Sequence, residues 1–206
     1  MAGTGGPQEL PEDFRTALDG LRALRVRPEV RLEESPAPQK LAPFAVALSA
    51  SVFDRVPTGD DEDDEVAQGR LIVLCDPAGH EAWGGRMRLV TYIRTAIEAE
   101  MVTDPLVMEV AWGWLAESLA AHGVPMEAAG GTVTRVQSQP FGDLSGGEPE
   151  DEEPSGELEI RASWSPVGAI SSHVEAWIDV LCTAAGLPPA PPGVVPIPNR
   201  RPSRGF

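Results

Sequence analysis

The 206-residue chain, 42% apolar with five tryptophans, has the length of one domain with tails and enough apolar surface for a core. Its formal charge of −16 is concentrated: Asp60 to Glu65 holds six acids and Glu148 to Glu153 five, and without them 21 acids face 16 bases, a remainder of −5. That balance argues against nucleic acid, which is bound by cations that neutralise phosphates, and no apolar run is long enough for a membrane span.

Residues 1–10, rich in Gly and Pro, read as a disordered tail. Pro11, Glu12 and Asp13 open a helix, because proline suits the first turn and acids suit its positive end. Phe14, Ala17, Leu18, Leu21 and Leu24 mark its inner face, and Pro28 stops it. Pro36, Pro38 and Pro43 predict an extended connector. The alternation of Phe44, Val46, Leu48, Ala50 and Val52 with small residues predicts the first strand. The acidic run 60–65 follows as a solvated loop. Leu71 to Cys75 is a continuous apolar strand, expected to be central and covered on both faces.

A loop bracketed by Asp76-Pro77 and Gly84-Gly85 leads to a third strand. There Met87, Leu89 and Ile93 alternate with Arg86, Arg88, Tyr92 and Arg94. Asp104 is placed as the cap of a helix beginning at Pro105, with Val107, Val110, Ala111, Trp114 and Leu115 inward. Strands over 132–139 and 157–164 come next. Ser172 and Glu175 read as a capping box for the last helix, which buries Val174, Trp177, Ile178, Leu181 and Ala185. The expected order is α-β-β-β-α-β-β-α. This is one α+β domain over 11–189, with a five-stranded antiparallel sheet and helices on one face. A Pro-rich tail over 190–206 ends in Arg200, Arg201 and Arg204.

The two later helices share a signature. Trp114, Ala121 and Gly123-Val124-Pro125 match Trp177, Ala184 and Gly186-Leu187-Pro188 at identical spacing, which suggests a repeated strand-strand-helix unit. Both end on a glycine suited to the left-handed position after a helix.

Candidate chemistry is sparse. Gly142 to Gly147 around Ser145 resembles a protease serine loop, but Leu144 breaks the spacing and an acidic tract follows. Asp76 and His80 could act as a loop acid–base pair, giving a hydrolase reading with Ser145. None of the three histidines has a second ligand at metal spacing, and Asp60 to Glu65 lacks the alternating ligands and turn glycine of a calcium loop, so no cofactor or metal is expected. Cys75 and Cys182 read as buried thiols of a cytoplasmic protein. The least ordinary feature is the polar face of strand three, where Arg86, Arg88, Tyr92 and Arg94 join Arg161 of the last strand. They suit either salt bridges to Glu157 and Glu159 or a carboxylate-bearing partner.

Four stretches carry a resemblance: Arg27-Pro28-Glu29-Val30, Ala37 to Pro43, Arg88-Leu89-Val90-Thr91-Tyr92, and Leu181 to Pro189. In these the chain resembles a family of high-GC Gram-positive bacteria, the domain of unknown function 3000. That family brings no mechanism and no catalytic residues. The expected element order is also similar to that of type III secretion chaperones and their relatives outside secretion systems. This likeness implies a non-enzymatic fold that binds extended peptides or dimerises through a strand or helix. The reading is therefore a protein-binding adaptor or chaperone-like module, not an enzyme, with a protein partner or a second copy on its arginine-bearing face; the alternatives are the hydrolase and a nucleic-acid-associated accessory protein.

Overall fold

The computed structural model describes residues 9–57, 65–139 and 155–189. The acidic runs, apart from Glu65, lie outside them, as do Ser145 and the tail from 190. Helix α1 (Glu12–Ala23) starts directly after Pro11, carries both acids in its first turn and buries Phe14 and Ala17. Strands β1 (Val30–Ser35), β2 (Phe44–Phe53), β3 (Glu65–His80) and β4 (Gly85–Ile97) follow. Then come α2 (Ala99–Thr103), α3 (Val107–Ala121), β5 (Met126–Ser138), β6 (Ser155–Pro166) and α4 (Ile170–Ala184).

The strands form one sheet in the order β1-β2-β3-β4-β6-β5, with every neighbouring pair antiparallel. The α+β class and the one-sided helix layer agree with the expectation; the strand count does not. The described residues hold six strands rather than five, because Val30 to Ser35 pairs with β2 where an extended connector was expected. Its short run alternates Val30 and Leu32 with Arg31 and Glu33. Short, charged strands suit a sheet edge, where they discourage pairing with other chains, and they leave little apolar signal to read.

Three further boundaries move. β3 runs on to His80, and a single 3-10 turn (Glu81–Trp83) ending on left-handed Gly84 closes the hairpin. α3 begins at Val107, two residues beyond Pro105, while Asp104 accepts the Leu106 N–H at 2.8 Å in the turn before it. Its buried residues are Val107, Ala111, Leu115 and Leu119; Val110 is 47% exposed and Trp114 only partly buried. α4 starts at Ile170 after Ala169, so Ser172 and Glu175 fall inside the helix and make no capping box.

The shared helix endings are real. In α3, Gly123 (φ 66°) donates to Ala120 and Val124 to Leu119; in α4, Gly186 (φ 72°) donates to Thr183 and Leu187 to Cys182. Both are Schellman closures. The two helices pack together, with the Ser118 hydroxyl donating to the Ala176 carbonyl at 2.8 Å. With β4 beside β6, the hairpins β3-β4 and β5-β6 lie side by side in the sheet, the first followed by α2 and α3 and the second by α4.

One face of the sheet takes all the helices. Leu71, Val73, Leu89, Ile93, Leu158, Ile160 and Trp164 point into that layer and are essentially inaccessible. Gly69 lets α4 lie close: a Cβ there would sit 2.8 Å from both Trp177 and Leu181. The opposite face meets none of the described helices. β3 was expected to be covered on both faces, yet its Ile72 remains only partly buried there.

Candidate functional site

The bare face is organised in rows set by the strand registers. Arg70 lies opposite Tyr92, Tyr92 opposite Arg161, and Arg161 opposite Thr132. The neighbouring row runs Ile72, Val90, Ser163 and Gly130. One row is cationic and aromatic; the next is apolar and small. Together they line an open trough of about 570 Å³.

The arginines divide into two kinds. Arg94 holds Glu157 through both carboxylate oxygens, one of them 3.0 Å from Nε, and this pairing raises the Arg94 pKa. Arg161 lies 2.8 Å from Glu159, with its guanidinium 5.1 Å over the Tyr92 ring. The Tyr92 hydroxyl donates to Glu159 at 2.9 Å, and burial followed by that carboxylate raises its pKa. Arg94–Glu157 is the cross-strand bridge the sequence allowed, whereas Arg161 pairs with Glu159 along its own strand.

Arg70 and Arg88 have no carboxylate partner among the described residues. Arg70 donates to the Pro36 carbonyl. Arg88 Nη1 reaches the Ala128 carbonyl at 2.9 Å and Ser165 Oγ at 3.1 Å. Its Nη2 reaches Ser163 Oγ at 2.7 Å and the Ser163 carbonyl at 3.2 Å. Desolvation lowers the Arg88 pKa, and its donors tie β4 through β6 to β5. Arg88 therefore braces the sheet. Arg86 departs from the expected group: it turns to the helix layer and pairs with Asp13 of α1 at 3.0 Å, because the start of β4 runs beside α1 and the beginning of α4.

The face as a whole carries Arg31, Arg70, Arg88, Arg94 and Arg161 against Glu33, Glu127, Glu157 and Glu159, on strand positions that alternate with the buried set. It is positive in a chain of net charge −16. Arg70 was absent from the sequence reading, because Gly69 and Gln68 hide the first turn-side half of β3. Its register opposite Tyr92 is the signal, and it requires knowing how the strands pair.

Asp76 and His80 of the hydrolase reading make separate contacts. The Asp76 carboxylate accepts the Ala78 N–H at 2.9 Å, and His80 stacks on Trp83 at 4.7 Å between ring centroids. No hydrogen bond joins His80 to Asp76 among the described residues, and Ser145 lies outside them. His122 sits at the end of α3, 2.7 Å from Asp179 of α4. Among the described residues no group of three or more His, Cys, Asp or Glu side chains could hold a metal. Both cysteines are free and buried; burial raises the Cys75 pKa and pushes Cys182 up to about 11. No described helix is long and apolar enough to cross a membrane.

Comparison with curated proteins and with solved structures gives no match. A family model described as protein of unknown function (DUF3000) matches residues 10–195, and the chain belongs to that family.

Proposed function

We propose that this chain is a non-enzymatic protein-binding module that docks a partner on the bare face of its sheet. The observation that carries the reading is the trough: Ile72 and Val90 form a partly exposed apolar floor beside the row Arg70, Tyr92 and Arg161, where no described helix covers it. Apolar ground rimmed by arginine and tyrosine is the composition of protein interfaces. β5 adds a second element. It is a thirteen-residue strand, exposed along most of its length, and among the described residues it pairs with β6 alone. Such an edge accepts an added strand from a partner or a second copy. Buried free thiols suit a reducing, cytoplasmic setting.

Affinity capture from the native cell with mass spectrometry tests the reading. The wild-type chain should recover a defined protein, or itself, and the variant with Arg70→Glu and Arg161→Glu should not. Ala120→Glu, on the exposed side of α3, is the control and should keep the partner. A partner lost with the control and kept by the arginine variant would overturn the assignment of the face. Recovered RNA that dissociates steeply with salt would overturn the choice of partner class.

A further inference from the structure

The rows of the bare face say what chemistry the partner brings. Arg70 and Arg161 flank Tyr92 in one row, two strands apart, so their backbones stand about 10 Å from each other. Their guanidinium groups border the same trough, whose floor is Ile72 and Val90. Arg70 spends its contact on a neutral carbonyl, and Arg161, 57% exposed, shares one glutamate with Tyr92. Arg88 beyond the floor is also balanced only by neutral oxygens. The trough is thus a positively charged surface with an aliphatic centre, on a chain that is otherwise strongly acidic.

A cationic or purely apolar ligand would leave those guanidinium charges unanswered. A polyanion such as RNA would match them locally while meeting the repulsion of the whole molecule. A peptide segment with separated carboxylates satisfies both constraints. It brings few charges and places them at the two arginines, whose planar forks pair with carboxylates bidentately. An extended segment rises about 3.3 Å per residue and puts every second side chain on one face, so acids four residues apart, about 13 Å, share a face and bracket the gap between the arginines, with the residue midway between them on that face too. An aliphatic side chain between them then reaches Ile72 and Val90.

We infer that the trough takes an acidic segment of a partner protein, with two carboxylates held by Arg70 and Arg161 around an aliphatic residue on Ile72 and Val90. This rests on the docking reading of the same face and adds the partner's chemistry to it. Wild-type chain immobilised in full is panned against a randomised dodecapeptide library on phage, with the Arg70→Glu, Arg161→Glu variant for counter-selection. Enriched peptides are then synthesised for anisotropy titrations. They should carry paired acids around an aliphatic residue and bind the wild type about ten-fold more tightly than the variant. Replacing their acids by lysine should reverse that preference. Circular dichroism and melting must show the variant folded; if it is not, Arg161→Gln and Arg70→Gln serve in its place.

Enriched peptides without acids, peptides bound equally by both proteins, or no enrichment would each overturn the inference. If the capture experiment still assigns a partner to this face, only the chemistry proposed here has failed. If capture fails as well, the docking reading falls with it. An oligonucleotide that displaces the selected peptides and binds more tightly than they do would also overturn it.

Discussion

His173 is fully buried at the start of α4, with Nδ1 3.3 Å from the indole nitrogen of Trp164 and Nε2 3.1 Å from the Val167 carbonyl. Trp164 can only donate and the carbonyl can only accept, so the ring is neutral and carries its proton on Nε2. Burial lowers its pKa from the usual 6.5, and the Val167 carbonyl opposes that shift only in part. The sign of the linkage follows. The unfolded chain binds this proton more readily, so the contribution of a neutral His173 is complete above pH 6.5 and is lost as pH falls toward the folded pKa. His173→Gln keeps a donor and an acceptor without a titrating ring. Thermal melts at neutral pH and near pH 5 should show a smaller acid loss for this variant than for the wild type. Equal losses would remove His173 as the source. Arg88 shows the same economy, since its four neutral acceptors include the carbonyl of Ala128, which is held at φ 46° beside the β5 bulge.

At the scale of elements, α4 is seated by complementary absences and volumes. Gly69 on β3 supplies no side chain where Trp177 and Leu181 arrive, and all three are buried. Trp177→Ala should cost about 3–5 kcal/mol through lost burial and the cavity left behind. Gly69→Ala should cost about 1–3 kcal/mol by overpacking the same contact. Chemical denaturation measures both, and a Trp177→Ala variant as stable as the wild type would contradict the packing.

The same glycine explains a limit of the sequence. Gly69 and Gln68 interrupt an apolar run, so the sequence pattern starts β3 at Leu71 and leaves Arg70 out of the arginine group. β1 was invisible because an edge strand of Arg31, Glu33 and Glu34 carries little apolar signal. Val110 was placed inside because its neighbours in α3 are apolar almost all round, which removes the contrast between faces. What could be read was whatever repeats with a clean period. The alternation of Met87 to Arg94 and of Leu158 to Trp164, the inner face of α4, and the two glycine endings all stand in the structure. The alternation placed Arg88, Tyr92, Arg94 and Arg161 on one face; only the registers put Arg70 and Arg161 in one row.

At the scale of the molecule, charge is segregated. Phe53 pairs with Glu65, Ser138 with Ser155, and Ile97 with Gly156, so the connections carrying both acidic runs leave from the same end of the sheet. α4 also ends there, where the Ala184 carbonyl accepts the Thr95 hydroxyl at 3.0 Å. The trough lined by Arg70 and Arg161 lies on the bare face and the helix layer covers the other, so the proposed docking of a carboxylate-bearing partner belongs to the bare face. The most direct test is photo-crosslinking in the native cell, with a benzophenone amino acid placed at Thr132 or Thr134 on the bare face and at Glu117 or Ala120 on the helix layer. All four positions are exposed. The account predicts a discrete crosslinked product from the bare-face positions, abolished by Arg161→Glu, and none from the helix layer. A product from the helix layer alone would contradict it.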